Sequence, residues 1–87
     1  MRDTQGVDRE IRAILDEHGR LPVAASTLKE DADLYQAGLT SHASVSVMLA
    51  LEDAFDIEFP ERMLKKSTFE SVMAIHNALL ELIAEVA

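Results

Sequence analysis

Ser41 is the side chain in this sequence best placed to carry a covalent group. It lies in the stretch Ala37-Gly38-Leu39-Thr40-Ser41-His42-Ala43-Ser44-Val45, which closes an irregular segment and opens an amphipathic helix. Thr40 reads as the N-cap, because its hydroxyl can accept a bond from a free backbone N–H of the first turn. Ser41 then falls at the first helical position, with its hydroxyl outside the core. A helix N-terminus offers unpaired N–H groups and a positive dipole end, so a phosphate attached there is stabilised. Nothing nearby is arranged to activate the serine. His42 is its neighbour, but successive helical residues point about 100° apart, which places the imidazole badly for taking the serine proton. The sequence also has no G-x-S-x-G elbow, the strand-to-helix turn on which a hydrolase serine is displayed. The pattern describes a serine that is acted upon, and the chain is not expected to be an enzyme.

The remaining chemistry-bearing residues read as structural. Asp31 and Asp33 have the spacing of calcium-loop ligands, but the glycine and the terminal glutamate of such a loop do not follow at the required offsets. They are expected to be solvated acids or local caps. His18 falls in the last turn of a helix, where an imidazole suits the negative dipole end. His76 lies within an apolar stripe and is expected to be a satisfied core or boundary group. No second ligand stands at zinc spacing beside it, so no metal is expected. Cysteine is absent, which excludes disulfides and thiolate metal sites.

Composition narrows the class. The chain has 87 residues, of which 48% are hydrophobic, enough for one core in a single domain spanning residues 1–87. A chain of this size buries only about 60–65% of its unfolded surface, so modest stability is expected. The net charge of −8, from 16 acidic and 8 basic residues, argues against nucleic acid, whose phosphates would repel this surface. It favours steering towards basic partners. No long apolar run and no basic, apolar leader is present, so neither a membrane span nor a signal peptide is expected. A cytoplasmic monomer follows as the expectation.

The elements that must position Ser41 are helical. Met1 to Gly6 read as frayed. Val7, Ile11, Ile14 and Leu15 recur at helical spacing, giving a first helix over Gly6–His18, with Gly19 as its C′ residue. Arg20 to Leu39 is a long connection without periodicity, punctuated by Pro22 and Gly38. Such loops are usually functional or disordered. This one holds too many apolar groups to be a floppy linker, so Leu28, Leu34 and Leu39 are expected to anchor it, with a single turn at Leu34 to Ala37. A second main helix spans Ser41 to Phe55, ended by Asp56, with Phe55 as a core residue. Ile57 and Phe59 alternate with acids but are too few for a strand. Pro60 opens a short helix over Glu61–Lys65. Ser67-Thr68-Phe69-Glu70 has the form of a capping box, so the last helix is expected from Thr68 to about Glu85. Its stripe comprises Phe69, Val72, His76, Leu79, Ile83 and Val86. The fold class is all-α: three main helices and one short one.

These residues resemble a known family. The run Asp33-Leu34-Tyr35-Gln36-Ala37-Gly38-Leu39-Thr40-Ser41, the helix through Leu51-Glu52-Asp53-Ala54-Phe55, and Ile57-Glu58-Phe59-Pro60 are similar to acyl carrier proteins over roughly residues 7 to 83. The resemblance implies a bundle whose serine, in a G-x-D-S-L motif, carries 4′-phosphopantetheine derived from coenzyme A. Ser41 matches that serine. Thr40 replaces the usual aspartate and His42 the usual leucine. Thr40 can still cap the helix, but it offers no carboxylate to the transferase. His42 puts a polar ring where a partner normally meets an aliphatic group. Partner contacts are therefore expected at Thr40, His42, Val45, Glu52, Asp53, Phe59 and Glu61.

The cargo is open at this level. The Thr40-Ser41-His42 variant and the stretch from Glu61 to Phe69 look like free-standing aminoacyl carriers, whose loading ligases resemble seryl-tRNA synthetases. The implied partners are a phosphopantetheinyl transferase, such a ligase and a downstream acceptor enzyme, with a small amino acid held as a thioester. The alternatives are a fatty-acyl or polyketide carrier, with a chain buried among Val45, Met48, Phe59 and Ile75, and an unmodified acidic helical interaction module.

Overall fold

A computed structural model describes residues 4–86, all helix, turn and loop. Helix α1 spans Thr4–His18, α2 Leu34–Ala37, α3 Ser41–Phe55 and α4 Val72–Val86, and single 3-10 turns cover Ala25–Thr27, Glu61–Met63 and Lys66–Phe69. Helix α1 packs on both α3 and α4. The expected fraying of Met1 to Asp3 lies outside the described residues, whereas Thr4 to Gly6 already belong to α1.

The periodic residues of α1 do what their spacing dictates. Val7, Ile11, Ile14 and Leu15 are all buried, as a helix with one apolar stripe requires. Its C-terminus departs from expectation. Gly19 donates its N–H to the Leu15 carbonyl at 2.8 Å, but the left-handed residue is Arg20, with φ of 53°. Glycine is needed at 19 for another reason: a Cβ there would stand 2.6 Å from the Leu15 carbonyl oxygen.

The long connection is folded onto the bundle. The Arg12 guanidinium donates from Nη1 to the Ala25 carbonyl at 2.6 Å and to the Leu28 carbonyl at 2.7 Å. Its Nε donates to Asp8 at 3.0 Å. The Asp16 carboxylate accepts the Ala25 N–H at 2.7 Å. Further along, the Leu34 N–H donates to the Glu70 carbonyl at 2.7 Å and the Met73 N–H to the Glu30 carbonyl at 2.9 Å. Leu34 and Leu39 are buried and Leu28 packs partly against the core, as expected; Ala25 is a further buried anchor. Asp33 caps α2, its Oδ1 accepting the N–H groups of Tyr35 and Gln36.

Helix α3 begins and ends at the expected residues. The Thr40 hydroxyl accepts the Ala43 N–H at 3.0 Å, and Asp56 closes the helix in the left-handed region. The buried strip is Ala43, Val47 and Leu51. Phe55 is only half-buried, packed against the edge of the core, so it is a boundary residue and not the core residue expected of it.

The start of α4 is a correction. Residues Lys66–Phe69 form a 3-10 turn, and α4 starts at Val72 with the Ser71 hydroxyl accepting the Ala74 N–H at 3.0 Å. Ser67 is exposed. Thr68 and Phe69 turn inward, and the Phe69 ring meets Phe59 edge-on with centroids 5.3 Å apart. Anchoring Phe69 in the core, with the Glu70 carbonyl bonded to Leu34, uses the residues a capping box would need. The short helix expected at Glu61–Lys65 is the 3-10 turn Glu61–Met63. The Val86 side chain, expected on the α4 stripe, lies outside the described residues. His76 is not satisfied: its Nε2 is buried without a hydrogen-bond partner among the described residues.

Candidate functional site

Ser41 opens α3, exposed to solvent, directly after the Thr40 cap. The cap is held in register by Gly38, whose φ of 124° is a conformation side-chain-bearing residues rarely adopt; a Cβ there would also meet Pro22 Cδ at 2.7 Å. The Leu39 N–H returns to the Leu34 carbonyl at 2.9 Å, so α2 feeds straight into the start of α3.

The Ser41 side chain borders an open groove of about 360 Å³ between α3 and the segment before α4. Val45, Met48, Leu64 and Phe69 line it with apolar surface, Tyr35 and Ser44 border it, and Lys65 and Lys66 supply its charge. Ser44 is engaged locally, its hydroxyl donating to the Ser41 carbonyl at 2.7 Å. Ser46 lines a different groove, against α1. Of the three serines on this helix, Ser41 alone combines exposure, a capped helix start and the Lys-bordered groove. His42 is exposed and does not border that groove. Among the described residues, no cluster of three or more His, Cys, Asp or Glu side chains could hold a metal ion. Among them, too, no helix is long and apolar enough to cross a membrane.

The expected partner residues are not one surface. Thr40, His42 and Glu61 are exposed, and Val45 is 51% exposed. Phe59 is in the core at 4% exposure, so it cannot meet a partner. Its apolar character gave the right environment but the wrong role. Asp53 faces the groove between α3 and α1, together with Glu10, Glu17 and Leu49. Glu52 is half-buried and occupied internally: its Oε2 accepts the Phe59 N–H at 2.9 Å, which ties the chain after α3 back onto the helix. We expect Glu52→Lys to lower stability by about 1 kcal/mol through loss of this bond, with Glu52→Gln close to wild type because its amide oxygen can still accept. Urea unfolding midpoints check this; an unshifted Glu52→Lys midpoint would show that the tie contributes nothing.

Tyr35, Leu64, Lys65 and Lys66 were not picked out as site residues. Periodicity could not place them, since they lie on a four-residue helix, in a single 3-10 turn and in irregular chain. One signal was present: three of the eight cations, Arg62, Lys65 and Lys66, fall within five residues of an otherwise acidic chain.

The group that this architecture could hold is a long, mostly neutral arm joined through a phosphate. An exposed hydroxyl at a helix start, an apolar trough beside it and two ammonium groups at its border suit such an arm. Comparison with known proteins agrees. The family described as "Phosphopantetheine attachment site" matches residues 10–75. An "Aminoacyl carrier protein" from Agrobacterium fabrum (strain C58 / ATCC 33970) is 49% identical over 69 residues, covering 79% of this chain and 83% of that protein. A carrier protein from Agrobacterium tumefaciens, solved in complex with an engineered Bradyrhizobium japonicum glycine:[carrier protein] ligase and ATP, superimposes with a TM-score of 0.84 at 45% identity, covering 86% of this chain and 97% of the other. A glycylated carrier protein, solved with the Bradyrhizobium japonicum ligase, gives a TM-score of 0.72 at 27% identity over 84% of this chain and 97% of that one.

Proposed function

The chain belongs to the phosphopantetheine-attachment family of carrier proteins, and on that premise we propose that it carries a small amino acid as a thioester on 4′-phosphopantetheine joined to Ser41. The observation that carries the reading is the exposed Ser41 hydroxyl at the Thr40-capped start of α3, bordering a groove while Ser44 is turned to a backbone carbonyl. The arm supplies a thiol, which this cysteine-free chain lacks, and a thioester keeps a carboxyl group activated for transfer. The protein's own work is to anchor that arm on a rigid helix and to present a surface that enzymes can recognise. A tethered cargo then reaches successive active sites at high effective concentration.

The aminoacyl assignment draws on the 49% identical aminoacyl carrier protein and on carriers solved with a glycine-loading ligase. Of the four residues named for a sheltered fatty or polyketide chain, Val45 and Met48 line the groove beside Ser41, whereas Phe59 and Ile75 are buried in the core. A short polar cargo needs no such shelter. The partners proposed are a phosphopantetheinyl transferase, an amino acid:carrier protein ligase of seryl-tRNA-synthetase type acting in trans, and a downstream acceptor, all in the cytoplasm. Thr40 and His42, exposed beside the arm's root, and Val45 are proposed as contacts for them. Glu61 extends that surface, and approach of its basic partners should weaken as salt rises.

Mass spectrometry of the holo protein isolated from its native host tests the cargo. We expect an amine-bearing thioester that mild hydroxylamine removes. A long acyl chain on the thiol would overturn the aminoacyl reading and leave the carrier reading standing.

A further inference from the structure

Lys65 and Lys66 border the groove beside Ser41 in a chain whose net charge is −8. No carboxylate lines that groove among the described residues. The Lys66 ammonium lies 4.7 Å above the centre of the Tyr35 ring, bridging α2 and the turn before α4 across the groove. A ring face attracts an exposed ammonium only weakly, whereas an ammonium and a phosphate form a charge-assisted contact. The ring therefore holds Lys66 at the groove without committing it. Resting on the carrier reading, we propose that Lys66, assisted by Lys65, is a positioning residue for the phosphodiester at the root of the arm. The contact biases the arm towards the apolar trough of Val45, Met48 and Leu64 and away from the His42 side of α3. Tyr35 keeps the ammonium in place until the phosphate is there to receive it.

Two features make this specific to the lysines. The free N–H groups of a helix start act on any attached anion equally in all directions around the helix axis. The lysines lie on the groove side of α3, so they can give the arm a direction. Both side chains are exposed, so replacing them leaves the core intact.

Phosphorus NMR of the holo protein tests the proposal, since the arm carries the only phosphorus. The wild type should show a phosphorus resonance whose shift and relaxation change when salt is raised to roughly 1 M, where the Debye length falls to about 3 Å. Lys66→Gln should show that high-salt signal already at low salt, Lys66→Arg should retain the wild-type signal, and Lys29→Gln should not differ from wild type. The Lys66 ε-methylene resonances should also shift between apo and holo protein. A Lys66→Gln spectrum identical to that of Lys29→Gln, with no apo-to-holo change at Lys66, would overturn the positioning role alone. Failure of Ser41 to accept the arm appears earlier, as an unchanged intact mass, and would overturn the carrier reading itself.

Discussion

Ser41→Ala should accept no phosphopantetheine: its intact mass should stay unchanged after incubation with coenzyme A and a transferase that adds one arm to the wild type. The loss should be complete, because the arm needs an oxygen to form the phosphodiester and alanine has none. The variant should fold normally. Ser41 is exposed, alanine is the best helix former, and the Thr40 cap at 3.0 Å from the Ala43 N–H does not involve the replaced group. The Ser41 carbonyl remains to accept the Ser44 hydroxyl. Ser44→Ala should lose only that local bond and still be modified. Circular dichroism with intact mass separates the outcomes. Modification of Ser41→Ala at Ser44 or Ser46 would move the site, and no addition to the wild type with any transferase would favour an unmodified interaction module.

Arg12→Ala should cost roughly 2–4 kcal/mol, the scale of losing hydrogen bonds from a charged donor to two backbone carbonyls. That is a large part of the stability of a small domain, on the order of 5 kcal/mol. Arg12 is the staple of the long connection, reaching the Ala25 carbonyl at 2.6 Å and the Leu28 carbonyl at 2.7 Å. Its pair with Asp8 is partly exposed and contributes little by comparison. Arg12→Lys should recover part of the loss only: both carbonyls accept from the one nitrogen Nη1, a place an ammonium can take, but a single ammonium lacks the second nitrogen, Nε, that holds Asp8 at the same time. Urea unfolding reads the change through the midpoint at constant slope. Hydrogen exchange should quicken first at the amide of Ala25, which is held by Asp16. The consequence reaches the site: residues 19–40 deliver Tyr35, Gly38 and Thr40 to the start of α3, so a loosened connection should blur the arm's anchor. An unshifted midpoint would mean that water replaces the guanidinium without cost.

The helices were legible to the extent that their periodicity and caps are local. The expected bounds of α3 match, because Thr40 caps it through its own hydroxyl and Asp56 ends it through its own backbone. The apolar spacing of α1 marked its buried face for the same reason. The start of α4 was misplaced because the capping-box pattern at Ser67 is a local signal, whereas the inward packing of Phe69 moves the start to Val72, where the Ser71 hydroxyl accepts the Ala74 N–H. Phe59 and Glu52 were both given a partner-binding role because nothing within either helix or loop records that the Phe59 N–H meets the Glu52 carboxylate.

The sequence by itself determined the helical class, the capped serine at the head of α3, the absence of any thiol and the acidic surface that partners must meet. Each of these depends on residue type and on spacings of a few residues, over which chain geometry is set by backbone dihedrals and local hydrogen bonds. The tertiary structure decided the rest: that Arg12 and Asp16 hold the connection, that Glu52 is partly consumed inside the fold while Asp53 looks towards α1, and that Tyr35, Lys65 and Lys66 gather beside Ser41. Tyr35, Lys65 and Lys66 come from segments without a repeating pattern, and so do Ala25, Leu28 and Phe59, whose backbone groups Arg12, Asp16 and Glu52 hold. Their meeting is set by which apolar anchors fill the core, Leu34, Leu39, Met63 and Phe69 among them, and burial carries no direction until the whole chain has packed.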